Sequence, residues 1–312
     1  SEFLATQDAQ QTQEKLLNQQ QGVIDEVTAL AAQQPAVTDA SEADNDGAPA
    51  GTIVGQWATL VNAVAIRVPY GALDDIRGLD GVKRAYVEHV YDAPEELSTT
   101  VDGDKAWYTY SYDKVGVEGA WSEGYTGQGM LVAVLDTGLD LKWGITQNED
   151  GSEGRGVVRV HEAFTDNSFK NDPADWDLRY TSDSLAAFLK DNQLNSTTGA
   201  DGGVIEWDYN ALYKNLKVPY ACDYADGDIN VQPASSDHGT HVSGTIAGYA
   251  ETDEGEVIFS GIAPDAQIMM MKVFSDQDGG AQESVILNAL EDRTLSVSYT
   301  HLRAPETELH LV

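Results

Sequence analysis

A single cysteine, Cys222, stands in a chain of 312 residues, so no internal disulfide can form. Stability must then come from the buried core, from bound ions or from both. Positive charge is also scarce: 18 Lys and Arg face 52 Asp and Glu, a formal net charge of −34. That field repels phosphates and anionic lipid, which argues against nucleic acid and membrane surfaces as partners and favours neutral partners, cationic groups or metal ions. No run of 18 apolar residues occurs, so no membrane insertion is expected of this stretch. The chain opens on Ser1-Glu2-Phe3 with neither a Met nor a charged-then-apolar leader, as in a cytoplasmic protein or one whose N-terminus lies upstream. What the chain does have, 41% hydrophobic residues, suffices for a large core and a small one.

The pattern along the chain divides accordingly. In residues 9–34, Leu16, Leu17, Ile24, Val27, Leu30 and Ala31 recur at the spacing of an amphipathic helix, with Pro35 as its stop. An acidic loop is expected over 36–51. Val64, Ile66 and Val68 then alternate as a strand, Pro69 opens a short helix on Leu73, Ile76 and Leu79, Gly81 ends it, and residues 82–90 read as a further strand. This small α+β unit closes near Pro94 and is assigned residues 1–96. Residues 97–129 are expected to link it to a second domain, with a short helix at 117–121. That domain, 130–292, shows α/β rhythm: buried strands at 130–135 and 268–274, and helices at 242–250 and 284–290. The stretch 142–233, rich in Asp, Asn and Gly, is expected to be a surface insertion carrying one helix at 184–189.

Two segments carry chemistry. Val132-Ala133-Val134-Leu135-Asp136-Thr137-Gly138 puts a carboxylate at the C-terminal end of a buried strand, where open α/β sheets place their sites. Asp237-His238-Gly239-Thr240-His241-Val242-Ser243-Gly244 puts an imidazole at a helix start. The helix terminus disfavours the imidazolium and the carboxylate favours it, so the imidazole can rest neutral and still accept a proton in a transition state. Singly, such an Asp is usually a turn former and such a His usually structural. His238 and His241 also have helical metal-ligand spacing, but no third ligand accompanies them. Gly239, Ser243 and Gly244 predict close packing of this helix on its neighbours. Asp223, Asp226 and Asp228 bunch in a turn that is either a Ca²⁺ loop or simply polar. Cys222 beside them reads as a packed side chain, since no adjacent cation would activate it.

Together, residues 127–138 and 236–248 resemble the Asp and His signatures of the subtilases, in the order of that family and with Gly261-Ile262-Ala263-Pro264 and Ile268–Phe274 after them. Residues 218–228, the long 136–238 spacing and residues 261–276 make the likeness strongest to the large cell-envelope, lactocepin-like group. Residues 9–92 resemble the subtilase propeptide. The resemblance implies a subtilisin-like parallel sheet with helices on both faces, incomplete here, preceded by a ferredoxin-like α+β propeptide domain whose first strand is missing. It implies a serine endopeptidase using an Asp-His-Ser triad, with Asp136 and His238 as catalytic Asp and base and His241 structural. Gly279 and Gly280 would lie on the strand that pairs with extended substrate backbone. The triad needs no cofactor, so calcium would be structural only. Proteins or peptides are the implied substrates, the propeptide an intramolecular inhibitor, and the location secreted or cell-surface.

The family's oxyanion Asn and nucleophilic Ser are expected downstream of the last matching helix, so the chain as written is expected to be inactive. Ser236 and Ser243, on the approach loop and on the helix of His238, read as capping and packing residues. From about Arg293 onward the text, including residues 296–307, resembles sequencing-adaptor read-through and is expected to be foreign. Two rivals stand beside the peptidase reading. One is a propeptide-type inhibitory binder carrying an inactive peptidase fragment. The other is an aspartic peptidase, since Leu135-Asp136-Thr137-Gly138 fits that pattern too, although no second copy occurs and the His segment would be unexplained.

Overall fold

The computed structural model describes residues 6–33, 49–94, 112, 114–147, 158–176, 178–191, 196–198, 204–234, 236–252 and 254–296. Most of the expected 36–51 loop, the start of the linker and the tail from 297 lie outside these.

Helix α1 spans Gln7–Ala31 and is capped by Thr6, whose hydroxyl accepts from the Ala9 N–H. Ile24, Val27 and Ala31, at three-to-four spacing, form its buried stripe. Gln20 is buried as well, and its amide donates to Trp57 O (2.8 Å) and Asn62 Oδ1 (2.7 Å). That satisfied side chain fixes the helix against an antiparallel hairpin of β1 (Ile53–Trp57) and β2 (Ala63–Ile66). Short helix α2 (Leu73–Arg77) closes a small core of Val27, Ala72 and Ile76. Strand β1 was not foreseen, and the strand expected at 82–90 is not formed. Only β3 (Val90–Asp92) is a strand, and its partner lies in the other unit. Residues 82–89 have no neighbouring strand among the described residues to supply hydrogen bonds, so alternation alone does not make them a ladder. Among the described residues this unit therefore holds a two-stranded sheet, not a ferredoxin-like one.

In the second unit, β4 (Leu131–Asp136), β5 (Tyr220–Asp223) and β6 (Gln267–Lys272) form a parallel sheet in the order β4-β6-β5. Strand β6 is buried along its whole length because it is flanked by strands and covered on both faces, the condition that makes Ile268-Met269-Met270-Met271 a continuous apolar run. Alternate residues serve opposite faces. Met269 and Met271 pack with Leu185 and Leu189 of α3 (Ser182–Asp191) and with Val285 and Ala289 of a later helix. Ile268 and Met270 pack with Phe164 and with Ala247 of α4 (His238–Ala247). Strand β7 (Gly280–Gln282) leads directly into that later helix, α5 (Glu283–Ser296).

The surface-insertion reading of 142–233 is corrected. Strand β5 belongs to the central sheet, and Phe164, Leu185, Leu189, Leu212, Val218 and Cys222 are core residues. Their short apolar clusters are separated by polar turns, and each cluster reaches a different face of the sheet. Helix α4 begins at His238, four residues before its expected start, and Ala250 lies in the following strand (Tyr249–Glu251). Helix α5 runs to Ser296, past the helix expected over 284–290.

Candidate active site

Asp136 is the last residue of β4 and His238 the first of α4. Glycines beside each of them, Gly138 and Gly239, keep the two elements close. A Cβ on Gly239 would stand 2.3 Å from the Gly138 carbonyl oxygen and 3.0 Å from Asp136 Cβ, so only glycine lets the first turn of the helix rest on the strand end. Gly138 has φ +121°, and a Cβ there would meet the Val231 carbonyl oxygen at 2.5 Å. At this approach His238 Nδ1 lies 2.8 Å from Asp136 Oδ1 and 3.0 Å from Oδ2, across 102 residues of sequence. Oδ1 also accepts the Thr137 N–H at 2.7 Å. The carboxylate side chain is 11% exposed and the imidazole 35% exposed, so the acid is fixed inside while the ring reaches solvent. An acceptor at Nδ1 selects the Nδ1–H tautomer and leaves the Nε2 lone pair as a base, the arrangement of acyl-transfer triads.

The subtilase family is matched over residues 127–295, more than half of the chain. The chain belongs to this family. Over 241 residues it is 25% identical to the PI-type proteinase of Lactococcus lactis subsp. cremoris, covering 76% of this chain and 10% of that protein. It is 22% identical over 240 residues to the minor extracellular protease Vpr of Bacillus subtilis, covering 76% of this chain and 22% of Vpr. A shorter stretch of 71 residues, 22% of this chain, is 37% identical to the major intracellular serine protease of the same organism, of which it covers 21%. The chain thus spans about a tenth of the length of the lactococcal relative.

In this subtilase the dyad is braced by Thr137, which sequence reasoning passed over. Its hydroxyl donates to the Ser236 carbonyl (2.8 Å) and accepts the Gly239 N–H (3.0 Å), tying strand end, approach loop and helix start together. Thr240 Oγ1 accepts the Asp140 N–H at 2.9 Å from the other side. Thr137→Val keeps the shape, removes both hydrogen bonds and leaves the Gly239 N–H unsatisfied. We expect a loss of about 1–3 kcal/mol in urea denaturation, largely restored by Thr137→Ser.

The other candidates are placed plainly. Ser236 Oγ accepts the His238 N–H at 3.3 Å, as a cap would. Ser243 is fully buried, and its Oγ has no hydrogen-bond partner among the described residues. His241 is exposed and joins no metal-type cluster among the described residues. The expected Asp223, Asp226 and Asp228 grouping is corrected. The carboxylates that converge are Asp223, Asp226 and Asp276, whereas Asp228 turns away to accept the Asn230 N–H. The reason is a buried cation already among them: Lys272, at the end of β6, places Nζ 2.7 Å from Asp223 Oδ2 and 3.7 Å from Asp226 Oδ2 and also donates to Asp276. An ammonium at the centre of the cluster does not suit a calcium ion there. Burial pushes the Asp223 carboxyl up to about 6. Burial alone would lower the Lys272 ammonium, but its hydrogen bonds to Asp223 and Asp276 raise it. A signal was available in the sequence, since a lysine closing the apolar run Ile268-Met269-Met270-Met271 needs counter-charges.

Gly280 pairs with Asp92, Ala281 with Tyr91 and Gln282 with Val90 in an antiparallel ladder. Gly279 stands one residue before it in a turn, at φ +74°, and is not part of the ladder. Gly280 has a steric role: a Cβ there would lie 2.6 Å from Val90 Cγ1. Beyond the ladder, side chains and backbone of the first unit also hold α5. The Trp57 indole N–H donates to Asn288 Oδ1 (2.9 Å), and the Thr59 and Leu60 N–H groups both donate to Glu291 Oε1 (3.0 and 2.8 Å).

Proposed function

We propose that this subtilase sequence encodes a serine endopeptidase in which His238 is the general base and later the general acid, while Asp136 orients it and stabilises its charged form. The observation that carries the reading is the two-atom contact between His238 Nδ1 and the Asp136 carboxylate at the junction of strand and helix. The substrates would be proteins or peptides laid as an extended strand along β7. Residues 7–94 would be the propeptide, an intramolecular inhibitor whose strand β3 occupies that place. The pairing of β3 with β7 and the anchoring of α5 by the first unit support this. Secretion is the location we assign, supported by the likeness to an extracellular protease over three quarters of the chain. No described residue is assigned as the nucleophile, because Ser236 caps and Ser243 packs beside the base.

A second reading, an inhibitory binding protein with an inactive peptidase unit, is favoured by one feature: β3 covers the receiving edge. Two measurements separate the readings. The His238 Nδ1–H should give a strongly downfield proton resonance that Asp136→Ala abolishes; a resonance unchanged by that substitution would remove the dyad and the peptidase reading with it. A fluorophosphonate probe, which needs an activated serine, is expected to leave the 312-residue chain unlabelled and to label a polypeptide of this sequence that also supplies the serine. Failure to label the latter would leave the binder.

A further inference from the structure

The receiving edge holds more than backbone. Glu283, the residue after β7, carries a carboxylate whose side chain is only 12% exposed, and every partner it has among the described residues belongs to the docked strand or the residue before it. Oε2 accepts the His89 N–H at 3.2 Å, Oε1 accepts the Tyr91 hydroxyl at 3.3 Å, and His89 Nδ1 lies 3.4 Å from Oε1. The Glu283 N–H donates in turn to His89 O at 3.2 Å, continuing the ladder past Val90. When the docked strand leaves, this largely buried carboxylate loses all three contacts. Any strand that docks in its place covers the carboxylate again, and a carboxylate so desolvated has a strong demand for a donor, preferably a charged one.

We propose that Glu283 is a specificity-determining residue of the substrate edge, selecting a strand with a lysine or arginine at the position that Tyr91 occupies opposite Ala281. The proposal rests on the reading of β7 as the substrate edge. Tyr91 reaches the carboxylate with a phenolic O–H while half of its side chain stays in water, and an extended Lys or Arg has the same reach. An ammonium or guanidinium in place of the phenol turns a neutral hydrogen bond into a charge-assisted one. Tyrosine also shows the sign of the site: burial first, and then the Glu283 charge and hydrogen bond, raise its hydroxyl above the ordinary phenol range, the response expected where a further negative charge is unwelcome. An acidic side chain at this position would be rejected. Neighbouring positions are read differently. Val90 fills the space that Gly280 leaves open, so that position selects by shape, whereas the position of Tyr91 selects by charge. The formal charge of −34 adds long-range attraction for cationic peptides but no positional preference.

The test uses the whole chain with its own strand as the probe, read by hydrogen exchange at the amides of Val90–Asp92 and Gly280–Gln282. Tyr91→Lys is expected to slow their exchange about tenfold, and Tyr91→Glu to speed it by a similar factor. Glu283→Lys should invert both effects, so that Tyr91→Glu with Glu283→Lys regains protection. Amides of β4 and β6 serve as the control for folding, since Tyr91 is a surface side chain outside that core. Equal protection for Tyr91→Lys and Tyr91→Glu, or an unchanged order in the Glu283→Lys background, would overturn the proposal. Peptidase activity is not the readout. A charge preference found here in a sequence that never reacts with a fluorophosphonate would keep the subsite and discard the peptidase reading, and the converse result would do the opposite.

Discussion

Lys272→Met is expected to lower stability by about 3–5 kcal/mol at pH 7 and by far less near pH 4. The substitution keeps the length of the stem but leaves Asp223, which is fully buried, beside Asp226 and Asp276 with no counter-charge. The pH dependence follows from the Asp223 carboxyl, which burial holds at about 6 against an ordinary 3.8 even with the ammonium beside it. A group whose folded-state value is raised stabilises the fold fully below its unfolded value and loses that contribution as pH rises through the folded one. Without Lys272 the folded value moves higher still. The variant should therefore be near its best at pH 4, where Asp223 is protonated and neutral, and should weaken steadily as pH rises to 7. Urea denaturation of both proteins at the two pH values decides it: an equal deficit at pH 4 and pH 7 would show that the loss is one of packing and not of charge.

His238→Ala, in a polypeptide of this sequence that supplies the serine, is expected to lower kcat by on the order of 10⁶, the magnitude established for the subtilisin triad. Asp136→Asn should cost about 10⁴, because the amide preserves the shape but favours the wrong imidazole tautomer. The difference between the two reflects the geometry. In the proposed mechanism His238 would move the proton, while Asp136, already held by the Thr137 N–H, would act through it. Both variants should fold, since His238 is partly exposed and Asn can still accept from Thr137. Hydrolysis of casein by purified protein, with substrate saturation checked for each variant, gives kcat. A double variant losing no more than His238→Ala alone would confirm that the pair acts as a unit, whereas additive losses would separate them.

The dyad was legible in the sequence because each half lies in a compact signature: an apolar strand closed by Asp136, and a helix start marked by His238 among glycines. The distance between them in the chain did not matter, since β4 and α4 meet at the same end of the sheet. What escaped were features assembled from loops. Tyr220-Ala221-Cys222-Asp223 is too short to announce itself as a sheet strand, and it becomes one only because β6 offers it an edge. Asp276 joins Asp223 and Asp226 from some fifty residues away, held by Asp226 Oδ2, which accepts the Asp276 N–H at 2.7 Å. Asp228 was grouped with them by proximity in sequence, but the bridge it makes to Asp223 is through backbone. The apolar period of α4 begins only at Val242 because its buried first turn uses Gly239 and Thr240 in place of large apolar residues, and these carry no hydrophobic period. Residues 82–90 erred in the opposite direction, with alternation and no strand beside it.

The lone cysteine acquires a use from where it sits. Cys222 is fully buried in β5, an edge strand of the described sheet, in register with Met271 of β6 and with its thiol near the Asp228 carbonyl. A thiol reagent in solution can modify it only during the intervals when β5 peels away, so the labelling rate is a clock for opening at one defined place. No second thiol competes for the reagent. The clock should run at the same rate whether or not β3 is docked, if release of the first unit leaves the sheet closed. It should run much faster after Lys272→Met, whose repelling carboxylates lie at the end of that same strand.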